Sequence, residues 1–334
     1  MPGFEQGYEF GVSACYAAIY DNHIYIAGGC NFPTTPAAQG GSKRYYQGIY
    51  RATLGDTLQW EQLSSLPEKS AYGVSVCDGN KWYIVGGNNE EHPLSTVYCI
   101  DLADNCRIDT LPPLPCTIDN ATGAISDGRL YIAGGNASGK PSAKVFMLDI
   151  KNRDGNWCEL PDMPSPPRVQ PICAATKDAL YIWSGFCPAD NNTAATVHAD
   201  GICYNHINKE WNTLPHISKD EELSLSGGTA TLLNDTAIIA AGGVNRLIFT
   251  DAISGKYSFI SKEEYMLQPS EWYRFNPNLM QYDTNKNSWR VLYSHPVFAR
   301  AGAIAINYRN AVYYIGGELK PGIRTPQIHR FLIE

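Results

Sequence analysis

Six apolar runs in this 334-residue chain end on glycine: HIYIAGG at Gly29, KWYIVGG at Gly87, RLYIAGG at Gly135, ALYIWSG at Gly185, AIIAAGG at Gly243 and AVYYIGG at Gly317. Each follows a small-residue apolar run across a short polar turn, namely YDN, CDGN, SDGR, TKDA, LNDT and YRNA. Asp-Gly and Asn/Asp pairs between β-rich runs are hairpin turns. A third strand follows in STVYCIDL, AKVFMLDI, GICYNHI and LMQYDT, and a fourth often carries a tryptophan, at Trp60, Trp157, Trp211 and Trp289. Four antiparallel strands repeated six times predict an all-β, six-bladed β-propeller spanning residues 1–334 as one domain.

The paired glycines, third-strand aromatics and fourth-strand tryptophans resemble the kelch repeat. From Gly28 to Gly316 the units average about 58 residues, against about 50 for kelch. The excess lies largely in an insertion at about 246–275, where SKEEYMLQ and PSEWYRF read as short helices begun by Ser261 and Ser270 as N-caps. The last unit stops at its third strand, TPQIHRFLIE. Residues before Val12 are therefore expected to supply the missing fourth strand and close the ring.

Net charge is −7 and no basic cluster occurs, which argues against a nucleic-acid partner. No apolar stretch approaches the roughly 20 residues of a membrane-spanning helix. The ten cysteines sit mostly within apolar runs, as Cys77 and Cys173 do, and read as small buried hydrophobes. Cys99 and Cys106 could face each other across a hairpin. The seven histidines are scattered singly, so neither a metal centre nor any other cofactor is expected. No nucleophile elbow, zinc-protease motif or phosphate-binding loop is present.

Because strand directions alternate, the loops after the glycine pairs share a face with the loops entering each first strand. Side chains from both groups are expected over the central funnel. Candidates for holding a substrate there are Asn31, Arg44, Tyr72, Asp119, Arg168, Asn245 and Arg300. Amides, arginines and aromatics around one concavity suit a sugar. Arg168 and Arg300 could equally be struts between blades, and an Asn after Gly-Gly is also a common turn former.

The stretch GGELKPGIRT places Glu318 directly after the last glycine pair, with Pro321-Gly322 turning the chain so that Arg324 returns beside it. A carboxylate can relay protons, and an arginine can hold a substrate carboxylate through two parallel hydrogen bonds. A plain salt bridge within the loop would use the same two residues.

This stretch is similar to the corresponding loop of the kelch-type sialic acid mutarotases, the bacterial N-acetylneuraminate epimerases. AYGVSVCDGNKWYIVGG, GGVNRLIF and GGCNFP with GGSKRYYQGIY agree as well. The blades look circularly permuted, since the Glu/Arg loop lies mid-chain in those relatives. The resemblance implies that Glu318 and Arg324 are the catalytic pair, that no metal is needed, and that the substrate is N-acetylneuraminate, whose α and β anomers interconvert by ring opening. It also implies a periplasmic location. The first residues, MPGFEQGYEF, show no signal peptide, which points to the cytoplasm if the chain is complete. A homodimer is a further expectation. The alternative reading is a non-catalytic kelch module that binds a glycan or a protein.

Overall fold

The structure, a computed structural model, describes residues 1–152, 155–164, 166–190 and 193–333. Each glycine-ended run forms the second strand of an antiparallel sheet. In the first sheet Tyr16–Tyr20 pairs with His23–Ala27, which pairs with Gly48–Thr53, followed by Trp60–Ser65 at the outer edge. Four more sheets repeat this order with four strands each, and a sixth contains Ile304–Tyr308, Ala311–Ile315 and Ile328–Leu332. First strands neighbour one another around a common axis, and Ile304–Tyr308 neighbours Tyr16–Tyr20, so the ring is closed. The architecture is the all-β kelch-type propeller expected from the repeats. Among the described residues no helix is long and apolar enough to cross a membrane.

No single central core exists. The six largest hydrophobic clusters lie between consecutive sheets, as where Tyr16, Tyr25 and Ile49 of the first blade meet Trp82, Ile84 and Ile100 of the second. Outer-strand tryptophans extend these interfaces backwards: Trp157 Nε1 donates to the Pro112 carbonyl at 2.9 Å and Trp211 Nε1 to that of Pro161 at 3.1 Å. Alternation of side chains across a strand lets both faces of a blade carry apolar residues.

Two sets of backbone hydrogen bonds tie the blades together at one end. The second glycine of a pair donates to the carbonyl of the segment entering the next blade: Gly29 to Ser70, Gly87 to Ile118, Gly135 to Arg168, Gly243 to Arg300 and Gly317 to Val12, all at 2.8–2.9 Å. Nearer the axis, six residues form a closed circle of N–H to carbonyl bonds. Tyr72 donates to Ala14, Asn120 to Tyr72, Gln170 to Asn120, Gly227 to Gln170, Gly302 to Gly227 and Ala14 to Gly302, at 2.7–3.1 Å. All six have left-handed backbone, with φ between 50° and 70°.

That circle, together with the Gly317–Val12 bond, closes the ring without the expected extra strand. Residues before Val12 do not pair with Ile328–Leu332; they form a short 3₁₀ turn at Tyr8–Phe10. Gly7 and Gly11, at φ 90° and 95°, bend the chain out of an extended path. Asn31 then holds both glycines, its Nδ2 donating to the Gly7 and Gly11 carbonyls at 2.7 and 2.8 Å, while its Oδ1 accepts from Tyr46. Every polar atom of the Asn31 side chain is thereby committed to structure, and it is not a substrate ligand.

Arg168 and Arg300 are struts. Arg168 is fully buried, with Nη1 donating to the Ser184 carbonyl at 2.8 Å and Nη2 to Asp200 Oδ2 at 2.7 Å. Arg300 repeats the arrangement, Nη1 reaching the Gly316 carbonyl at 2.9 Å and Nη2 reaching Gln327 Oε1 at 3.2 Å. Each arginine accepts the preceding blade's glycine N–H on its backbone and grips its own blade with its side chain; the Arg300 Nε, which lacks a hydrogen-bond partner among the described residues, is itself buried.

In the insertion, Ser261 caps the helix Lys262–Tyr265 as expected, accepting from the Glu264 N–H. Ser270 instead begins the 3₁₀ turn Ser270–Tyr273, and Pro269 occupies the cap position. A longer helix, Arg246–Ile253, precedes both and is capped by Asn245, whose Oδ1 accepts from the Leu247 and Ile248 N–H groups. Since Asn245 Nδ2 donates to Glu222 at 2.9 Å, this residue too is structural. Cys99 and Cys106 lie on opposite faces of their blade, one packed toward the third blade and the other toward the first, which separates them and leaves no disulfide between them.

Two outcomes follow from these contacts. Gly87 has φ +101° and an added Cβ would sit 2.6 Å from the Ala71 carbonyl oxygen, so Gly87→Ala should lower the urea midpoint by the equivalent of about 2–4 kcal/mol; an unchanged midpoint would rule out the close approach. Burial raises the Asp200 carboxyl, but His198 and Arg168 outweigh it and hold the group well below the ordinary carboxylate range. Its stabilising contribution is therefore present above the unfolded value of about 3.9 and lost as pH falls through the folded one. Asp200→Asn should lower the melting temperature at pH 7, and the gap from the parent protein should narrow as pH drops below about 4; a gap independent of pH would refute the ionic origin.

Candidate active site

The residue following each glycine pair turns back over the axial opening and pairs with the segment entering its own blade. Bridges of this kind join Cys30 to Ser13, Asn88 to Ala71, Phe186 to Val169 and Glu318 to Ala301, and Asn136 occupies the same place opposite Asp119. Glu318 is thus held at the mouth by two backbone bonds with Ala301, of 2.7 and 2.9 Å. Its strand, Glu318–Lys320, forms a hairpin with Ile323–Arg324 around Pro321 and Gly322, the latter at φ +82°. Glu318 and Arg324 are direct cross-strand partners.

Arg324 Nη1 lies 2.7 Å from Glu318 Oε1. The contact is ionic rather than an aligned hydrogen bond, for Nη1 finds no hydrogen-bond partner of good geometry among the described residues. Nε donates to Ser13 Oγ at 3.0 Å, and the guanidinium lies 5.1 Å from the Phe32 ring centre. Burial alone would lower the Arg324 pKa, but the Glu318 carboxylate, with Cys30 and Tyr72, carries it above its ordinary value. The guanidinium is a permanent cation. Glu318 Oε1 also accepts the Gly322 N–H at 2.6 Å, while about a quarter of the side chain is open at 24% exposure.

Tyr72 joins this pair to the rest of the mouth. Its phenol accepts from Lys43 Nζ at 2.9 Å, and the ammonium lies 4.7 Å from the ring centre. Burial, reinforced by Cys30 and opposed by Arg324, holds the phenol well above its usual pKa, so it remains a proton donor at neutral pH. Tyr72 borders both the axial opening, a cavity of about 180 Å³, and an adjoining cavity of about 320 Å³ that reaches Tyr45, Asn88, Asn136 and Phe186. Two cations beside one carboxylate favour an anionic ligand at this end of a chain whose net charge is −7.

The insertion lies against this hairpin. Lys320 Nζ donates to the Gln268 carbonyl at 2.5 Å, and a Cβ on Gly322 would meet Ala37 at 2.6 Å and the Met266 methyl at 3.6 Å. Burial, with a further push from Glu318, raises the Tyr273 phenol to about 12, which places the insertion's aromatic cluster in the field of the carboxylate.

Of the substrate-holding candidates, Tyr72 alone borders the mouth with its own side chain. Arg44 stacks on Tyr46, 5.4 Å from its ring centre, and takes no part in the pair. Asp119 is buried beneath the mouth and accepts from Asn120 and Asn136 at 2.6 and 2.8 Å. Asn31, Arg168, Asn245 and Arg300 are structural, as described above. Lys43, Tyr45, Ser13 and Gln170 were not singled out from the sequence. Gln170 had a usable signal: every member of the axial circle stands two residues before its blade's first strand.

Comparison with known proteins identifies the family of the chain. The family model described as N-acetylneuraminate epimerase matches residues 111–334. The N-acetylneuraminate epimerase of Salmonella typhi is 29% identical over 187 residues, 54% of this chain and 48% of that protein. Its counterpart from Haemophilus influenzae strain PittEE is 29% identical over 189 residues, 54% and 49% of the two chains. The matched part of the chain thus spans about half the length of these curated relatives. The solved structure of YjhT superposes with a TM-score of 0.67 over 97% of this chain and 95% of its own, at 14% identity, a likeness of fold. With the family model covering well over half of its residues, the chain belongs to the N-acetylneuraminate epimerase family.

Proposed function

We propose that this protein is an isomerase that interconverts the α and β anomers of N-acetylneuraminate, with Glu318 as proton carrier and Arg324 as the clamp for the C1 carboxylate. The observation that carries this reading is the 2.7 Å pair of a partly open carboxylate and a buried guanidinium at the funnel mouth. A purely structural salt bridge would have no need of the Lys43–Tyr72 contact beside it or of the cavities that Tyr72 borders.

The chemistry requires two proton movements and no redox step. Glu318 takes the proton from the anomeric hydroxyl as the C2–O bond of the ring breaks, C2 becomes a ketone, and the departing ring oxygen is protonated. The Tyr72 phenol, kept protonated by burial, or a water molecule can supply that proton. Rotation about the bond from C2 to C3 turns the other face of the ketone to the ring hydroxyl, and the reverse transfers close the ring. Arg324 holds the carboxylate throughout, which keeps the open chain from leaving. Positioned acid–base groups provide about 10²–10⁴-fold acceleration, enough for a reaction that already proceeds unaided.

The test is to release N-acetylneuraminate as its α anomer with a sialidase and follow the NMR signals of the C3 methylene protons, which differ between the anomers. The protein should shorten equilibration, and Glu318→Gln should lose about 10²–10⁴-fold of that effect. Arg324→Ala should act mainly on binding, weakening it by about 2–5 kcal/mol. No acceleration by the unaltered protein, with or without binding, would overturn the enzyme reading. Full activity in Glu318→Gln would overturn the residue assignment.

A further inference from the structure

The axial circle is not chemically uniform. Three consecutive members, Gly227, Gly302 and Ala14, are small, and the other three, Tyr72, Asn120 and Gln170, carry large polar side chains. The small half belongs to the blade that carries Glu318 and Arg324 and to the two blades flanking it, where space is needed for a reacting centre. On the large half the positions after the glycine pairs are Asn88, Asn136 and Phe186, which line the cavity of about 320 Å³.

Beneath the amides lies Asp119, only 7% exposed. Its Oδ1 accepts from Asn120 Nδ2 at 2.6 Å and from Asn136 Nδ2 at 2.8 Å. A carboxylate can only accept, so both amides must turn their NH₂ groups inward and their oxygens away from it. Asn120 Oδ1 then accepts from Gln170 Nε2 at 2.7 Å, which fixes Gln170 in turn. Asn136 Oδ1 accepts nothing from the described residues, and Asn88 Oδ1 is buried with no hydrogen-bond partner among them. For the buried Asn88 oxygen this state is costly, by about 1–3 kcal/mol, until a donor arrives.

We propose that this amide half of the mouth is a specificity subsite for the uncharged, hydroxyl-rich tail of the sugar acid, and that Asp119 is a positioning residue that sets the direction of Asn120, Asn136 and, through Asn120, Gln170. The proposal rests on the anomer-converting reading above for the identity of the ligand. The carboxylate end lies over Arg324 and the small half of the circle, and the tail donates its hydroxyl protons to the amide oxygens.

The test uses the methyl β-glycoside of N-acetylneuraminate, whose locked ring binds without turnover, and the same glycoside with its tail cut back to C7 by periodate and borohydride. Titration calorimetry should show the intact glycoside binding about tenfold tighter than the shortened one. Asp119→Asn, which supplies a donor where the amides need an acceptor, should erase this discrimination and raise KM about tenfold while kcat stays within about twofold. Asn88→Ala removes a side chain that supports no other residue and should weaken the intact glycoside alone, so it carries the test if Asp119→Asn fails to fold. Equal binding of the two glycosides by the unaltered protein, or discrimination retained in whichever variant folds, overturns the subsite. Glu318→Gln separates the two ideas: it should lose acceleration yet keep the discrimination. Discrimination without any acceleration by the unaltered protein would leave the subsite standing and remove the enzyme.

Discussion

Six backbone hydrogen bonds running head to tail around the axis, from Ala14 through Tyr72, Asn120, Gln170, Gly227 and Gly302 and back to Ala14, govern the molecule. Each bond joins one blade to the next, so the circle counts the blades and closes them together. Its geometry requires left-handed backbone at every member. Four of the six are not glycine, and each of these carries about 1–2 kcal/mol of conformational cost. Burial between six pairs of sheets offsets that cost, and the reward is a rim of side chains whose Cα positions cannot drift.

From this rim the candidate site inherits its order. The glycine after each second strand delivers one residue to the mouth, and the residue two before each first strand delivers another. Of these twelve residues only Glu318 carries a charge. Glu318 differs because a proline-glycine hairpin follows it and returns Arg324 to its side. The same fold that presents Asn88 and Asn136 as neutral acceptors thus presents, on the sixth blade, a carboxylate and a permanent cation. The family relationship covering residues 111–334 includes that blade.

Several side chains that looked available in sequence are consumed by the ring itself. Arg168 and Arg300 occupy equivalent positions and tie the Ser184 and Gly316 carbonyls at the ends of two second strands to the incoming segments. Asn31 and Asn245 satisfy backbone groups at a bent N-terminal segment and at a helix start. All four are polar residues in mouth-facing loops, which is why pattern reading grouped them with ligands. Apart from the helix cap at Asn245, their hydrogen-bond partners lie 15–32 residues away, where no local periodicity reveals them. The N-terminal segment misled for a similar reason: a missing outer strand suggested a replacement, whereas closure rests on the axial circle and needs none.

Sequence by itself determined the repeated four-strand unit, the glycine that each second strand must end on, and the pairing of Glu318 with Arg324. All of these are local, since hairpin turns, a period of two and a six-residue return are written within a few residues of chain. Tertiary structure alone decided which face of each loop residue is spent on its neighbours and which is left over the opening. That outcome depends on residues from different blades meeting, as when Lys43 reaches Tyr72 or Asp119 orients Asn136. Hydrogen bonds have direction and saturate, so a polar side chain's function is settled only once all its partners have arrived.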